Sequence, residues 1–139
     1  MFHVTFKVDG SPHGKGRPRF ARMGNFVRTY TDDKTKSYED LVRLSAQKSM
    51  GMSKPLKTAL DAFIYISLPI PSSYSKKRTE ACLNGLEKPI KKPDIDNVVK
   101  SVLDGCNGVI FVSDSQIVNL HITKTYGVPH VEVLIRETE

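Results

Sequence analysis

Three carboxylates in the second half of the chain have the residue types and spacing of a metal site. Asp94 and Asp96 flank a single residue directly after Pro93, and Asp114 follows a helical segment and a glycine-containing turn. A ligand set made of carboxylates, without Cys or His, selects hard cations such as Mg²⁺ or Mn²⁺. Such an ion can polarise a phosphoryl oxygen and lower the pKa of a bound water. The three acids therefore indicate metal-assisted phosphodiester hydrolysis.

A lysine and three further polar residues complete the candidate site. Lys100 follows Asp96 by four residues on a predicted helix, so its ammonium is expected to project toward the two acids. There it would stabilise charge on a transferring phosphate or position the attacking water. Supporting roles fall to neighbouring polar residues, namely Asn97, Asp104 and Gln116. For Asp104 the simpler interpretation is a surface ion pair with Lys100, again four residues away.

A non-catalytic interpretation of the acids stays open, because D-x-D is a short and common pattern. Asp94 and Asp96 would then be capping and turn residues, and Asp114 a turn residue. An EF-hand is excluded, since the chain lacks its D-x-[DN]-x-[DN]-G loop.

Hydrophobic periodicity predicts the elements that must position these residues. Alternation predicts strands at residues 2–8 and 60–68, and a β-hairpin formed by residues 118–123 and 131–135. Helices are predicted at about 32–50, 73–83 and 95–106. This order predicts an α+β fold, in which a mixed sheet of about four strands packs with two to three helices in one domain spanning residues 1–139.

Two of the predicted helices have a defined apolar face. In the first, the buried stripe is expected to include Tyr38, Leu41, Val42 and Leu44. In the last, Asp96 is expected to be the N-cap, and the buried face is expected to consist of Ile95, Val99, Val102, Leu103 and Cys106, opposite Asn97, Lys100, Ser101 and Asp104.

The chain is basic, with a net charge of +6 and a pI of about 9.4. The positive charge is concentrated in two segments, residues 13–28 and residues 76–92. Residues 13–28 contain no acid, their glycines predict an irregular loop, and Phe20, Phe26 and Tyr30 lie among or beside the arginines. Phosphates attract Arg and Lys while unstacked bases attract aromatic rings, so this segment suits nucleic acid, although a solvated loop with docked aromatics is an equal alternative. The candidate DNA-binding residues are Lys15, Arg17, Arg19, Arg22, Arg28, Lys76, Lys77, Arg78, Lys91 and Lys92.

Several classes of protein are excluded by the same sequence. Gly14-Lys15-Gly16-Arg17 lacks the ending of a P-loop, so no nucleotide cofactor is expected. Cys82 and Cys106 form no zinc-binding spacing and fit a reducing cytoplasm. No apolar run is long enough for a membrane span, and residues 2–8 lack the apolar core of a signal peptide.

The sequence resembles the RusA family of Holliday-junction resolvases, found in bacteria and their prophages. The resemblance rests on KPDIDN at residues 92–97, Lys100, LDG and NGV at residues 103–109, DSQI at residues 114–117, and GRPRF at residues 16–20. It implies a homodimeric, Mg²⁺-dependent α+β endonuclease that nicks two strands of a four-way DNA junction symmetrically. Asp94, Asp96 and Asp114 match the family's three essential acids, and Lys100 matches its essential lysine. Some members have a second acid where this chain has Ser113.

Two alternatives to junction resolution remain at this point. One is a non-catalytic, structure-selective DNA-binding module that keeps the fold. The other is a metal-dependent nuclease acting on other branched DNA or on RNA.

Overall fold

A mixed four-stranded sheet is the centre of the computed structural model, which describes residues 2–17 and 19–139. Three α-helices and a separate two-stranded sheet accompany it in that part of the chain. In chain order the elements are β1 (His3–Asp9), β2 (Arg19–Met23), β3 (Phe26–Tyr30), α1 (Asp33–Met50), β4 (Leu60–Leu68), α2 (Lys76–Leu83), α3 (Ile95–Cys106), a 3-10 turn (Asp114–Gln116), β5 (Ile117–Tyr126) and β6 (His130–Glu137). The predicted α+β fold is confirmed.

The sheet order is β1-β6-β4-β5, and its topology overturns one prediction. β5 and β6 are consecutive in the chain but lie on opposite sides of β4. β5 runs parallel to β4, and β6 runs antiparallel to it. The expected hairpin between them is therefore wrong. The backbone N–H of Gly127, just after β5, donates to the carbonyl of Leu68 at the end of β4 (2.9 Å), where the chain crosses over. Alternation shows that a strand has one buried face, but it does not show which strand it pairs with.

The core lies between one face of the sheet and helices α1 and α3. Ile66 of β4, Val42 of α1 and Val102 of α3 are all fully buried there. In α1 the buried residues are Thr35, Tyr38, Val42, Ala46 and Met50, which recur at intervals of three and four. That stripe leaves Leu41 and Leu44 about half exposed, so their predicted place in the core is wrong.

Residues 19–30, predicted to be irregular, form a β-hairpin instead. β2 and β3 pair antiparallel from Arg19 opposite Tyr30 to Met23 opposite Phe26. The glycine that was expected to break regular structure makes the turn, because Gly24 has the left-handed φ of 64° that glycine adopts without strain. Phe20 and Phe26 are 70% and 67% exposed. Docking of these two aromatic rings on the core, one of the two alternatives, is therefore not what the structure shows.

Asp61 ties the central strand to both of its neighbours. One carboxylate oxygen accepts hydrogen bonds from Asn119 of β5 (2.7 Å) and from Thr138 just after β6 (2.8 Å). The other oxygen accepts a bond from Arg136 of β6 at 3.3 Å. The bonds from Asn119 and Thr138, followed by the one from Arg136, lower the pKa of this buried carboxyl.

We expect Asp61 to make the stability of the fold pH-dependent. Because its pKa is lowered by folding, its stabilising effect is complete above the ordinary aspartate pKa of about 4 and is lost as the pH falls through the lower folded value. The free energy of unfolding of Asp61→Asn should therefore lie below that of the unaltered chain at neutral pH and approach it in acid. Urea denaturation across this pH range measures the difference, with Asp40→Asn on exposed α1 surface as the control for net charge. A difference that does not change with pH would contradict the assignment.

Candidate active site

The two neighbouring acids lie at the start of α3. The helix begins at Ile95, so the N-cap is Asp94, and Asp96, which was predicted to be the cap, lies in the first turn. The Asp94 carboxylate makes no capping hydrogen bond. Both side chains are exposed, and Ile95 between them is exposed as well, which contradicts its predicted burial. Carboxylates near a helix N-terminus are favoured by its dipole and are here free to bind a cation.

The segment before Asp94 is fastened to the edge strand of the sheet. Lys124 of β5 donates from its ammonium to the carbonyls of Lys91 and Pro93, at 2.8 and 3.0 Å. The peptide between Lys92 and Pro93 is cis. The two bonds from Lys124 fix the approach to Asp94. They are not predictable from the sequence, because Lys124 alternates within an ordinary strand pattern.

Gln116 holds Asp114 in place. Its side-chain oxygen accepts from the backbone N–H groups of Val112 and Ser113, at 3.0 and 2.9 Å. Its amide nitrogen donates to the carbonyls of Leu56 and Thr58, at 2.9 and 3.0 Å. The first two bonds close the 3-10 turn, and the last two fasten it to the segment that leads into β4. The apolar run before the turn is anchored as predicted, because Ile110 and Phe111 are fully buried.

Lys100 makes ion pairs with Asp104 and Asp114. Its Nζ lies 3.1 Å from Asp104 Oδ1 and 3.4 Å from Asp114 Oδ2. The pair with Asp104 is the one that the spacing predicted, whereas the ammonium was expected to point toward Asp94 and Asp96. The hydrogen bond to Asp104 is the main cause that raises the pKa of Lys100. Lys100 is therefore a cation at neutral pH and not a general base.

Asp104 is also bound by a residue from the basic segment. The Nζ of Lys15 lies 2.5 Å from Asp104 Oδ2 and 3.2 Å from Glu39 Oε1 on α1. Partial burial opposes the charge of Lys15, but these two bonds together raise the pKa of its ammonium. Lys15 was expected to contact DNA, yet its side chain is only 24% exposed. Lys15 and Asp104 are 89 positions apart, so no local pattern could indicate the contact.

Most of the other predicted DNA-binding residues are exposed. They are Arg17, which precedes the hairpin, Arg19, Arg22 and Arg28 on it, Lys76 and Lys77 at the start of α2, and Lys91 and Lys92. Arg78 is also exposed, but it lies 3.6 Å above the ring of Tyr74 and donates to Glu87 at 2.9 Å. Asn97 is exposed on α3, and its carbonyl accepts a bond from the backbone of Lys15 at 2.9 Å.

The acids suit a hard cation by their chemistry but do not form a ready cage. Among residues 2–17 and 19–139, no three His, Cys, Asp or Glu side chains converge closely enough to hold an ion. Mg²⁺ commonly uses one or two carboxylates and completes its shell with waters and substrate phosphates. Asp94 and Asp96, which are exposed at the start of α3, and Asp114 in the 3-10 turn fit binding of an ion that keeps most of its waters.

No helix in the described part of the chain has the length and hydropathy to cross a membrane. Both cysteines are free and buried.

Comparison with known proteins identifies the family. The model of the family described as "Endodeoxyribonuclease RusA" matches residues 9–136. The chain is 37% identical over 138 residues to a Bacillus subtilis (strain 168) protein described as "Uncharacterized protein YqaN", covering 96% of each chain. The matched region contains all three acids, Lys100 and the exposed hairpin. The chain therefore belongs to the RusA endodeoxyribonuclease family.

Proposed function

We propose that this protein is a Mg²⁺-dependent endodeoxyribonuclease that resolves four-way DNA junctions by paired symmetric nicks, in DNA recombination and repair. Mn²⁺ is expected to substitute for Mg²⁺. One observation carries the proposal: in a chain of this nuclease family, the Lys100–Asp114 ion pair joins α3, whose N-terminus presents Asp94 and Asp96, to the turn before β5.

Asp94, Asp96 and Asp114 would hold the ion, which supplies a Lewis acid and a more acidic bound water. Asp94 and Asp96 are exposed, so a phosphate can approach them. Lys100 would donate hydrogen bonds to the phosphate oxygens or to the attacking water, because its ammonium is already charged. Gln116 keeps Asp114 at a fixed distance from the sheet, through its bonds to Leu56 and Thr58.

The exposed hairpin of β2 and β3 is the principal DNA-binding surface in this proposal. Arg28 lies opposite Ala21, and Arg22 lies opposite Val27, so the pleat places arginines on both faces of the hairpin. The exposed rings of Phe20 and Phe26 are available to stack on bases that are unpaired at a branch point. Lys76, Lys77, Lys91 and Lys92 would contact the phosphates of the arms.

A homodimer would explain paired cutting. A four-way junction offers two symmetry-related phosphodiester bonds, and a twofold dimer presents two identical sites to them. We propose that the active form is such a dimer.

The cleavage assay compares a four-way junction with a flap, a linear duplex and a folded RNA. We expect products from the junction in Mg²⁺ or Mn²⁺, none with EDTA, and symmetric nicks that ligase can seal. Faster cutting of the flap or of the RNA than of the junction would mean that the four-way junction is not the preferred substrate. Cutting that survives EDTA would contradict the metal dependence.

A non-catalytic DNA-binding module is the second candidate. It is favoured by one observation, that no three potential ligands converge among the described residues. This candidate predicts strong, salt-dependent junction binding with no product in any divalent ion. The same assay, run with a binding measurement in EDTA, separates the two.

A further inference from the structure

We propose that Lys15 is a positioning residue for Lys100, acting through Asp104, and that it does not bind DNA. The inference rests on the proposed nuclease function. It concerns a series of ion pairs that runs from α1 across α3 to the turn before β5. Its members, with alternating charge, are Glu39, Lys15, Asp104, Lys100 and Asp114.

Asp104 is the carboxylate that pairs with both lysines of this series. Its Oδ2 accepts from Lys15 and its Oδ1 lies 3.1 Å from Lys100, so each oxygen has its own cation. The Asp104 side chain is 15% exposed, whereas that of Lys100 is 54% exposed. A mostly buried carboxylate that Lys15 holds in place is a firm support for the more exposed Lys100 beside it.

The surroundings of Lys15 argue against a phosphate contact. Its ammonium has three protons, and two of them are directed at Asp104 and Glu39. A phosphate would have to approach these two carboxylates, which repel it, and the Glu39 side chain is as buried as that of Asp104. The arginines on the hairpin, by contrast, are exposed.

The backbone around Lys15 is fixed as well. The N–H of Lys15 donates to the carbonyl of Asn97 at 2.9 Å, and Ser101 donates to the carbonyl of His13 at 2.7 Å. On the other side, the N–H of Gly16 donates to Thr35 of α1 at 2.9 Å. Residues 13–16 therefore lie between α1 and α3, directly before the hairpin, and bring Lys15 to Asp104 in a defined position.

Loss of the Lys15 charge would change how strongly the Asp104 carboxylate attracts Lys100. Without Lys15, Asp104 and Glu39 would be two partly buried carboxylates with no cation between them. Lys100 would then be drawn toward Asp104 and away from Asp114, because it already pairs with Asp104 and would no longer share that carboxylate with Lys15. DNA binding through the hairpin would be unaffected.

The test compares Lys15→Met, which keeps most of the apolar stem, with Arg22→Met on the exposed hairpin. Junction binding is measured in EDTA over a range of salt, and the cutting rate of fully bound junction is measured in Mg²⁺. We expect Lys15→Met to lower that rate about 10- to 100-fold, as the loss of a supporting partner does. Its junction Kd should stay within about twofold of the unaltered chain at every salt concentration.

Arg22→Met should show the opposite pattern. Its Kd should rise, and the slope of log K against log salt, which is negative, should become shallower by about 0.9. Lys15→Arg, which keeps the charge, should recover part of the rate lost in Lys15→Met. If Lys15→Met changes the salt slope as Arg22→Met does, or cuts at the normal rate, the proposal is wrong.

Two further measurements keep the outcome clear. Glu39→Gln leaves the Lys15–Asp104 bond intact, so it should lower the rate less than Lys15→Met does. If Lys15→Met does not fold, an unaltered rate in both Glu39→Gln and Asp104→Asn would itself overturn the proposal. If the unaltered chain cuts no junction at all, the proposed function fails and the positioning role fails with it, while the salt dependence of Lys15→Met binding still tests whether Lys15 contacts DNA.

Discussion

Asp114→Asn is expected to abolish junction cutting while leaving junction binding intact or tighter. The change keeps the shape of the side chain but removes a charge that would bind the metal ion. An ion of this kind supplies several kcal/mol of transition-state stabilisation, so the loss should be on the order of 10³-fold in rate. Binding should not weaken, because a negative charge near the phosphates is removed. Single-turnover cleavage and binding in EDTA measure the two effects separately.

Asp40→Asn is the matched control, since it removes one carboxylate from the exposed surface of α1. It should cut at the normal rate. The Asp114 variant should also remain folded, because the turn is held by Gln116 and by the Ser113 cap, which do not depend on the Asp114 side chain. Normal cutting by Asp114→Asn would mean that this residue is not a metal ligand.

Gly105→Ala is expected to destabilise the fold although alanine is the better helix residue. At an open helix position the exchange would stabilise by about 1 kcal/mol. Here a Cβ would lie 2.6 Å from Val42 Cγ1 and 2.9 Å from the carbonyl oxygen of Glu39. Overpacking of this kind costs typically about 1–3 kcal/mol, so the net effect should be a loss of stability. Gly105→Val should be worse still.

Trimming the neighbour should not rescue the variant. Val42→Ala would remove Cγ1, but the Cβ of residue 42 and the backbone oxygen of Glu39 would still be too close. α1 and α3 would have to move apart, which would also separate Glu39 from Asp104 and lengthen the bridge through Lys15. Urea denaturation gives the stability, and Gln47→Val on exposed α1 surface controls for a β-branched helix residue. An alanine variant at least as stable as the unaltered chain would contradict this packing.

Local pattern was sufficient for the three helices and the four strands of the main sheet, but not for the pairing of these strands or for β2 and β3. The bounds of β4 and the start of α1 follow directly from alternation and from Asp32, whose side chain accepts a bond from the N–H of Thr35. The place of β4 between β5 and β6 depends on contacts between distant residues, which periodicity does not report. Glycine content does not predict the hairpin of residues 19–30, because a glycine can either end an element or, as Gly24 does, form the turn between two strands.

The candidate site shows the same division. The motif proposes the acids and Lys100 as site residues, which stays a prediction, whereas the Lys100–Asp104 pair predicted from helical spacing is present in the structure. Ser101 was predicted to face outward because it is polar, yet it is fully buried and bonds to the carbonyls of His13 and Val98. Its burial and the contact of Lys15 with Asp104 both depend on residues 13–16 lying along α3, which no local pattern reveals.

The place of β4 between its two neighbours also decides when the sheet can assemble during synthesis. Leu60 at the start of β4 pairs with Ile117 and with Glu137, so neither neighbour exists until long after β4 has been made. Contacts between such distant residues have a large loop-closure entropy and form late in folding. The turn that carries Asp114 is held against Leu56 and Thr58, directly before β4. β4 therefore gains its second neighbour only after the strand ending at Glu137 has been made, and we expect a fragment that stops before β6 to leave one side of β4 unpaired.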